Sequence, residues 1–237
     1  MKKLQASQKD SLSDTKILSR KIALYPLFNK NTHIKIEYIM HYPKVFQSLI
    51  AHFASLPSVG PKMAERIVLY LFKQDEERLQ GFAESFEALH HLKSCKRCFH
   101  IAESDLCMIC ADPKRQTDTL CLVEEPLDVI AIERIGSYQG LYHVLGGLIE
   151  SGRNDNSNNL RITELLHRVE DEHITEVILA TNPTTEGDMT ALYLKKKLEP
   201  FHIKVTRIAR GMATGGDIEY ADEMTLSASL TNRKELE

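Results

Sequence analysis

The run C-K-R-C-F-H-I-A-E-S-D-L-C-M-I-C, from Cys95 to Cys110, decides how this 237-residue chain is organised. It holds two Cys-x-x-Cys pairs, Cys95/Cys98 and Cys107/Cys110, with eight residues between them. Each pair turns two thiolates toward one point, and two pairs supply the four soft sulfur ligands of a tetrahedral Zn²⁺. Four cysteines leave no coordination position for a reacting water, so the expected site is closed and structural, with one Zn²⁺ per chain. The other reading, two disulfides, requires an oxidising compartment, and nothing in the sequence directs the chain to one. His90 and His91, just upstream, are expected as polar residues at a helix end and not as ligands. The fifth cysteine, Cys121, sits in an apolar run and is expected as a core residue.

The remaining composition is that of an ordinary water-soluble globular chain, 43% hydrophobic and 27% charged. No run approaches the roughly 20 apolar residues of a membrane-spanning helix. The net charge of −3 is unevenly placed: residues 1–39 carry +5 and residues 40–237 carry −8. An acidic body excludes strong nonspecific nucleic-acid binding by the whole surface, so such binding must be local or built up by assembly.

Upstream of the cysteines, residues 1–39 show no apolar segment of useful length; the best run, Ile22–Phe28, is broken by Pro26. They read as an extension, disordered or preceding the true start at Met40, or as a basic arm that touches DNA. From Pro43 the pattern Val45, Phe46, Leu49, Ile50, Phe53 predicts an amphipathic helix. The segment L-P-S-V-G-P-K-M-A-E-R-I (56–67) follows, with Gly60 allowing a tight approach and Pro61 suited to a first helical position. The N–H groups of Lys62 and Met63 then face outward at a helix N-terminus that favours an anion. Lys62, Arg66, Tyr70 and Lys73 fall on one stripe of this helix, and Met63, Ile67 and Leu71 on another. The basic stripe fits a phosphate backbone or a plain solvated face equally well. Between Gln74 and Lys93 a further helix is expected, with Asp75 as cap and Leu79, Phe82, Phe86, Leu89 and Leu92 as its buried stripe.

Downstream of Pro113 strands and helices alternate. Strands are expected at 119–125, 142–145, 176–180 and 204–209, and helices at 126–134, 162–171 and 185–198, with a polar loop at 150–159. This order predicts a parallel α/β sheet whose function collects at the carboxyl ends of the strands. Glu124 follows the first strand there, and Glu186 and Asp188 lie in the turn T-N-P-T-T-E-G-D after a later one.

From Met40 to about Asn232 the chain resembles the RecR family of bacterial recombination mediators. The likeness rests on the hairpin L-P-S-V-G-P-K, the four-cysteine knuckle, the strand end V-E-E-P, the turn A-T-N-P-T-T-E-G and the segment A-R-G-M-A-T-G-G-D-I-E-Y-A-D. It implies a multidomain α+β and α/β protein: an extension (1–39), a helix-hairpin-helix DNA-binding region (40–93), a zinc knuckle (94–112), a Toprim domain (113–209) and a C-terminal hinge and exchange helix (210–237). Gly60, Lys62, Arg66 and Tyr70 would bind DNA without reading sequence. Glu124, Glu186 and Asp188 would meet the partner proteins RecO and, in some species, RecF. Assembly as a ring-shaped tetramer, or a dimer, would concentrate Lys62 and Arg66 around a central hole, in a cytoplasmic, nucleoid-associated protein. Catalytic Toprim proteins pair the first Glu with an Asp-x-Asp to hold Mg²⁺; here those positions are Asn182 and Thr184, so the domain is expected to be non-enzymatic. The alternative is a metal-dependent, Toprim nuclease or topoisomerase-like enzyme. Gly215-Gly216 has no Lys-Ser/Thr after it, so no nucleotide-binding P-loop is read there. Ser58 stands where the family's hairpin turn has its first glycine, and Ala213 where proline is more usual.

Overall fold

The computed structural model describes residues 42–149 and 160–235. The readings of 1–39 and of the loop 150–159 fall outside the described residues. The chain divides into two compact units, 1–83 and 84–237.

In the first unit, α1 (Lys44–Ala54) and α2 (Pro61–Phe72) form a hairpin. Its core is Ile50, Ala64 and Val68, with Phe46, Phe53 and Val59 packed against them. Ala64, with no more than a methyl group, lets the two helices approach closely. The buried edge of α2 is therefore rotated by about one residue from the expected one: Met63 is exposed, and Ile67 and Leu71 are half-buried. Val45 and Leu49 of α1 are likewise exposed. Within the connecting turn Val59 N–H donates to the Leu56 carbonyl, and Ser58 adopts φ +63°, the left-handed region that favours glycine.

The helix α3 (Glu76–Ala88) starts on Asp75, whose Oδ1 accepts the Arg78 N–H at 2.8 Å. Its expected buried stripe is not buried: Leu79, Phe82, Phe86, Leu89 and Leu92 are 38–57% exposed. Helical period reports that one face is apolar; it carries no information on whether the chain itself folds back to cover that face.

The second unit begins with the two-residue strands β1 (Lys93–Ser94) and β2 (Ile101–Ala102), paired antiparallel, and the single turn α4 (Met108–Ala111). A four-stranded, wholly parallel sheet follows in the order β4-β3-β5-β6, formed by β3 (Thr119–Val123), β4 (Leu141–Val144), β5 (Glu176–Ala180) and β6 (Lys204–Arg207). Between them lie α5 (Pro126–Glu133), α6 (Ile162–Asp171) and α7 (Thr185–Leu198). β3 alternates Leu120 and Leu122 into one core, with Leu165, Val177, Leu194 and Leu198, and Cys121 and Val123 into another, with Val129 and Tyr142. Burial on both faces is why the strand reads as an unbroken apolar run. Burial also pushes the Cys121 thiol up to about 12, as suits a core residue.

From β3 the chain goes first to β4 on one side and then to β5 on the other. The carboxyl ends of β3 and β5 therefore meet at the point where strand order reverses. After β6, residues Thr214–Gly216 make a hydrogen-bonded turn, with Gly216 N–H on the Ala213 carbonyl at 2.9 Å and Gly215 at φ +82°. The last helix, α8 (Glu223–Thr231), is capped by Asp222, which accepts the Thr225 N–H at 2.9 Å.

Candidate functional site

The hairpin positions its basic residues through the start of α2. Gly60 is the extended residue before the helix and Pro61 its first residue, and no acidic side chain occupies the first turn. Lys62, Arg66 and Tyr70 are all exposed, and neither Lys62 nor Arg66 forms an ion pair among the described residues. The Arg78 guanidinium lies 5.9 Å from the centre of the Tyr70 ring, a cation at the end of the same face that the periodicity did not single out.

All four cysteine Sγ atoms of the knuckle lie within 4.8 Å of one another, and all four residues are buried. This donor set fits one tetrahedral Zn²⁺, whose ligands must lie in mutual contact and away from water. The backbone is shaped for it: Phe99 N–H donates to the Cys95 carbonyl at 2.9 Å, with Phe99 itself at φ +65°. Cys107 N–H points at Cys95 Sγ at 3.3 Å. His90 and His91 are exposed and stand outside the group. The knuckle is also bolted to the α/β domain. Arg97 donates to both oxygens of Glu172 at 2.9 and 3.0 Å, and Arg168 donates to the same carboxylate at 2.9 Å. On the edge strand, Val144 N–H donates to the Cys98 carbonyl at 2.9 Å.

At the carboxyl ends of the strands, Glu124 is buried, and Asn182 occupies both of its oxygens through the backbone N–H and through Nδ2. Thr184 serves as the cap of α7, its hydroxyl accepting the Gly187 N–H at 3.0 Å. The two residues that replace an Asp-x-Asp pair thus have structural work of their own. A Cβ at Gly187 would collide with the Asn182 carbonyl, which explains the glycine in this turn. Asp188 is held by two arginines the sequence reading missed: Arg207 at 2.7 Å, and Arg210, which reaches both carboxylate oxygens. The Arg210 and Arg207 guanidiniums keep its carboxyl below the usual range. Glu186 is half-buried, and its carboxylate has no partner among the described residues. Among those residues the four cysteines are the one group of three or more metal-type side chains whose ligand atoms lie together.

Four family models match the chain in succession. They are a RecR helix-hairpin-helix at residues 46–90, a RecR four-cysteine zinc finger domain at 92–112, a Toprim domain at 118–209 and a RecR C-terminal model at 211–234. No helix among the described residues is long and apolar enough to cross a membrane. The parallel sheet, the sulfur cluster and the hairpin each fall inside the model that names them, in the expected order, and the chain belongs to the RecR family.

Proposed function

We propose that this protein acts in recombinational repair by gripping the DNA backbone, without cutting or rejoining it. The observation that carries the proposal is the pair Lys62 and Arg66, exposed one turn apart at the start of α2 with no ion-pair partner among the described residues. Like charges at this spacing repel by a few tenths of a kcal/mol, and a phosphate between them reverses the sign. Gly60 keeps the approach to the first N–H groups open, and Tyr70 with Arg78 extends the same face. Two or four copies around a hole would multiply these few cations against an otherwise acidic surface. The non-enzymatic reading is supported by Asn182, which takes both oxygens of Glu124, and by Arg207 and Arg210, which neutralise Asp188, where a catalytic domain would use metal. Glu186 is the carboxylate offered to basic partners, with RecO and RecF the candidates that family resemblance implies; Asp188, already paired with Arg207 and Arg210, and Glu124, held by Asn182, shape the surface beside it.

Fluorescence anisotropy with short single- and double-stranded DNA tests the grip. Replacing both Lys62 and Arg66 with Ala should weaken binding to every sequence alike and reduce the salt slope by about 2. An unchanged isotherm and slope would remove these residues from the DNA site. Light scattering on the intact protein tests the assembly, since a monomer at all concentrations contradicts a clamp.

A further inference from the structure

Asp188 lies on the first turn of α7, and its two partners come from different places. Arg207 ends β6 and also donates to Thr181 Oγ1 at 3.1 Å, so it belongs to the sheet. Arg210 lies beyond β6, on the segment that leaves the domain for the C-terminal helix. That segment is bound in turn by α8. Met212 N–H donates to Ser229 Oγ at 2.9 Å, Asn232 Nδ2 donates to the Arg210 carbonyl at 3.0 Å, and a Cβ on Gly211 would lie 3.4 Å from Ser229 Oγ. The contacts run in series: α7 holds Arg210 through Asp188, and residues 210–212 hold α8 through Ser229 and Asn232. Otherwise α8 is lightly held among the described residues. It has no buried residue, and Met224 and Leu230 are 77% and 67% exposed.

We infer that Asp188 is a positioning residue for the C-terminal segment, fastening residues 210–232 to the α/β domain through Arg210. The Asp188 carboxylate thus fixes where the last helix departs. A bidentate guanidinium–carboxylate pair suits this task, because it sets orientation as well as distance. Asp188→Asn keeps the volume and removes the charge, so it should release Arg210 while leaving the sheet intact.

Hydrogen exchange on the full-length zinc-loaded protein, without partner or DNA, reads this directly. Asp188→Asn should speed exchange of the Met212 amide and of α8 by roughly three- to tenfold, with β3, β5 and the knuckle unchanged. Arg210→Met should do the same. The double variant should be no faster than either single one, since both break one link. Asp188→Glu, which keeps the charge, should restore most of the protection. Unchanged protection of residues 211–231 in Asp188→Asn would overturn the inference, as would equal loss in Asp188→Glu. Because no partner is present, the outcome is independent of whether Asp188 also meets one.

Discussion

Asn182, at the end of β5, takes both carboxylate oxygens of Glu124, at the end of β3, one through its backbone N–H and the other through Nδ2 at 2.8 Å. The two residues are 58 positions apart in the chain and close the crevice where the order of strands reverses. Glu124 is thereby held by a single residue through both of its oxygens.

Asn182→Asp replaces a donor with a second carboxylate against a buried one. Two like charges there oppose folding at neutral pH, by about 2–4 kcal/mol. Repulsion raises the folded-state pKa of the pair above its unfolded value, so the native state gains protons more readily. The deficit should therefore shrink as pH falls below about 5, where carboxylates begin to protonate. Millimolar Mg²⁺ should also recover part of it at pH 7. Urea melts at both pH values, with and without Mg²⁺, measure these effects; a variant as stable as the parent at pH 7 would contradict the geometry.

Ser58→Gly addresses the hairpin turn. A left-handed residue with a Cβ costs about 1–2 kcal/mol, and glycine removes that cost while adding freedom to the unfolded chain. The net expectation is a gain of up to about 1 kcal/mol, seen as a higher urea midpoint. A lower midpoint would mean that the serine side chain contributes more than its backbone strain takes away.

Zinc removal should be felt beyond the knuckle. The Cys98 carbonyl holds the Val144 N–H on the outer edge of β4, and Arg97 meets Glu172 beside it. Stripping the metal with a chelator should speed exchange at Val144 by about tenfold or more, while the amides of β5 stay protected. Metal analysis of the intact protein should give one Zn²⁺ per chain, lost in Cys107→Ser. Protection of β4 that survives chelation would show that the edge needs no knuckle.

His143 gives the fold a specific acid sensitivity. It is buried on β4 with Nε2 on the Arg161 carbonyl at 2.8 Å, Nδ1 unpaired, and the Phe99 ring edge-on. Burial lowers its pKa to about 4, with nearby Arg168 acting in the same direction and Glu164 and Glu172 opposing. A histidine depressed in the folded state stabilises it fully above the unfolded pKa near 6.5. That contribution, up to about 3 kcal/mol, is lost as pH falls from about 6.5 toward 4. His143→Gln should flatten the stability profile across this window in denaturant melts. An identical slope would exclude His143 as the group responsible.

Local pattern determined much of this protein. Two cysteine pairs define a metal site by spacing alone, because a turn of that length directs both sulfurs to one point. The residues of α6, β5 and α7 have the bounds their periodicity predicts, because strands buried on both faces and helices buried on one leave different repeats in the sequence. The basic stripe of Lys62 and Arg66 was likewise visible, since helical geometry places residues four apart on one face.

What only the tertiary structure decided are the relationships between distant residues. Asn182 and Thr184 are readable as missing metal ligands, but the bond from Asn182 to Glu124 exists only once β5 pairs with β3. Arg207 and Arg210 look like scattered charges until β6 brings them to Asp188. The apolar stripe from Leu79 to Leu92 shows the converse: its period was correct and its burial was not. Periodicity is a property of a helix, which forms through contacts three and four residues apart, whereas burial and ion pairing depend on which segments the folded chain brings together.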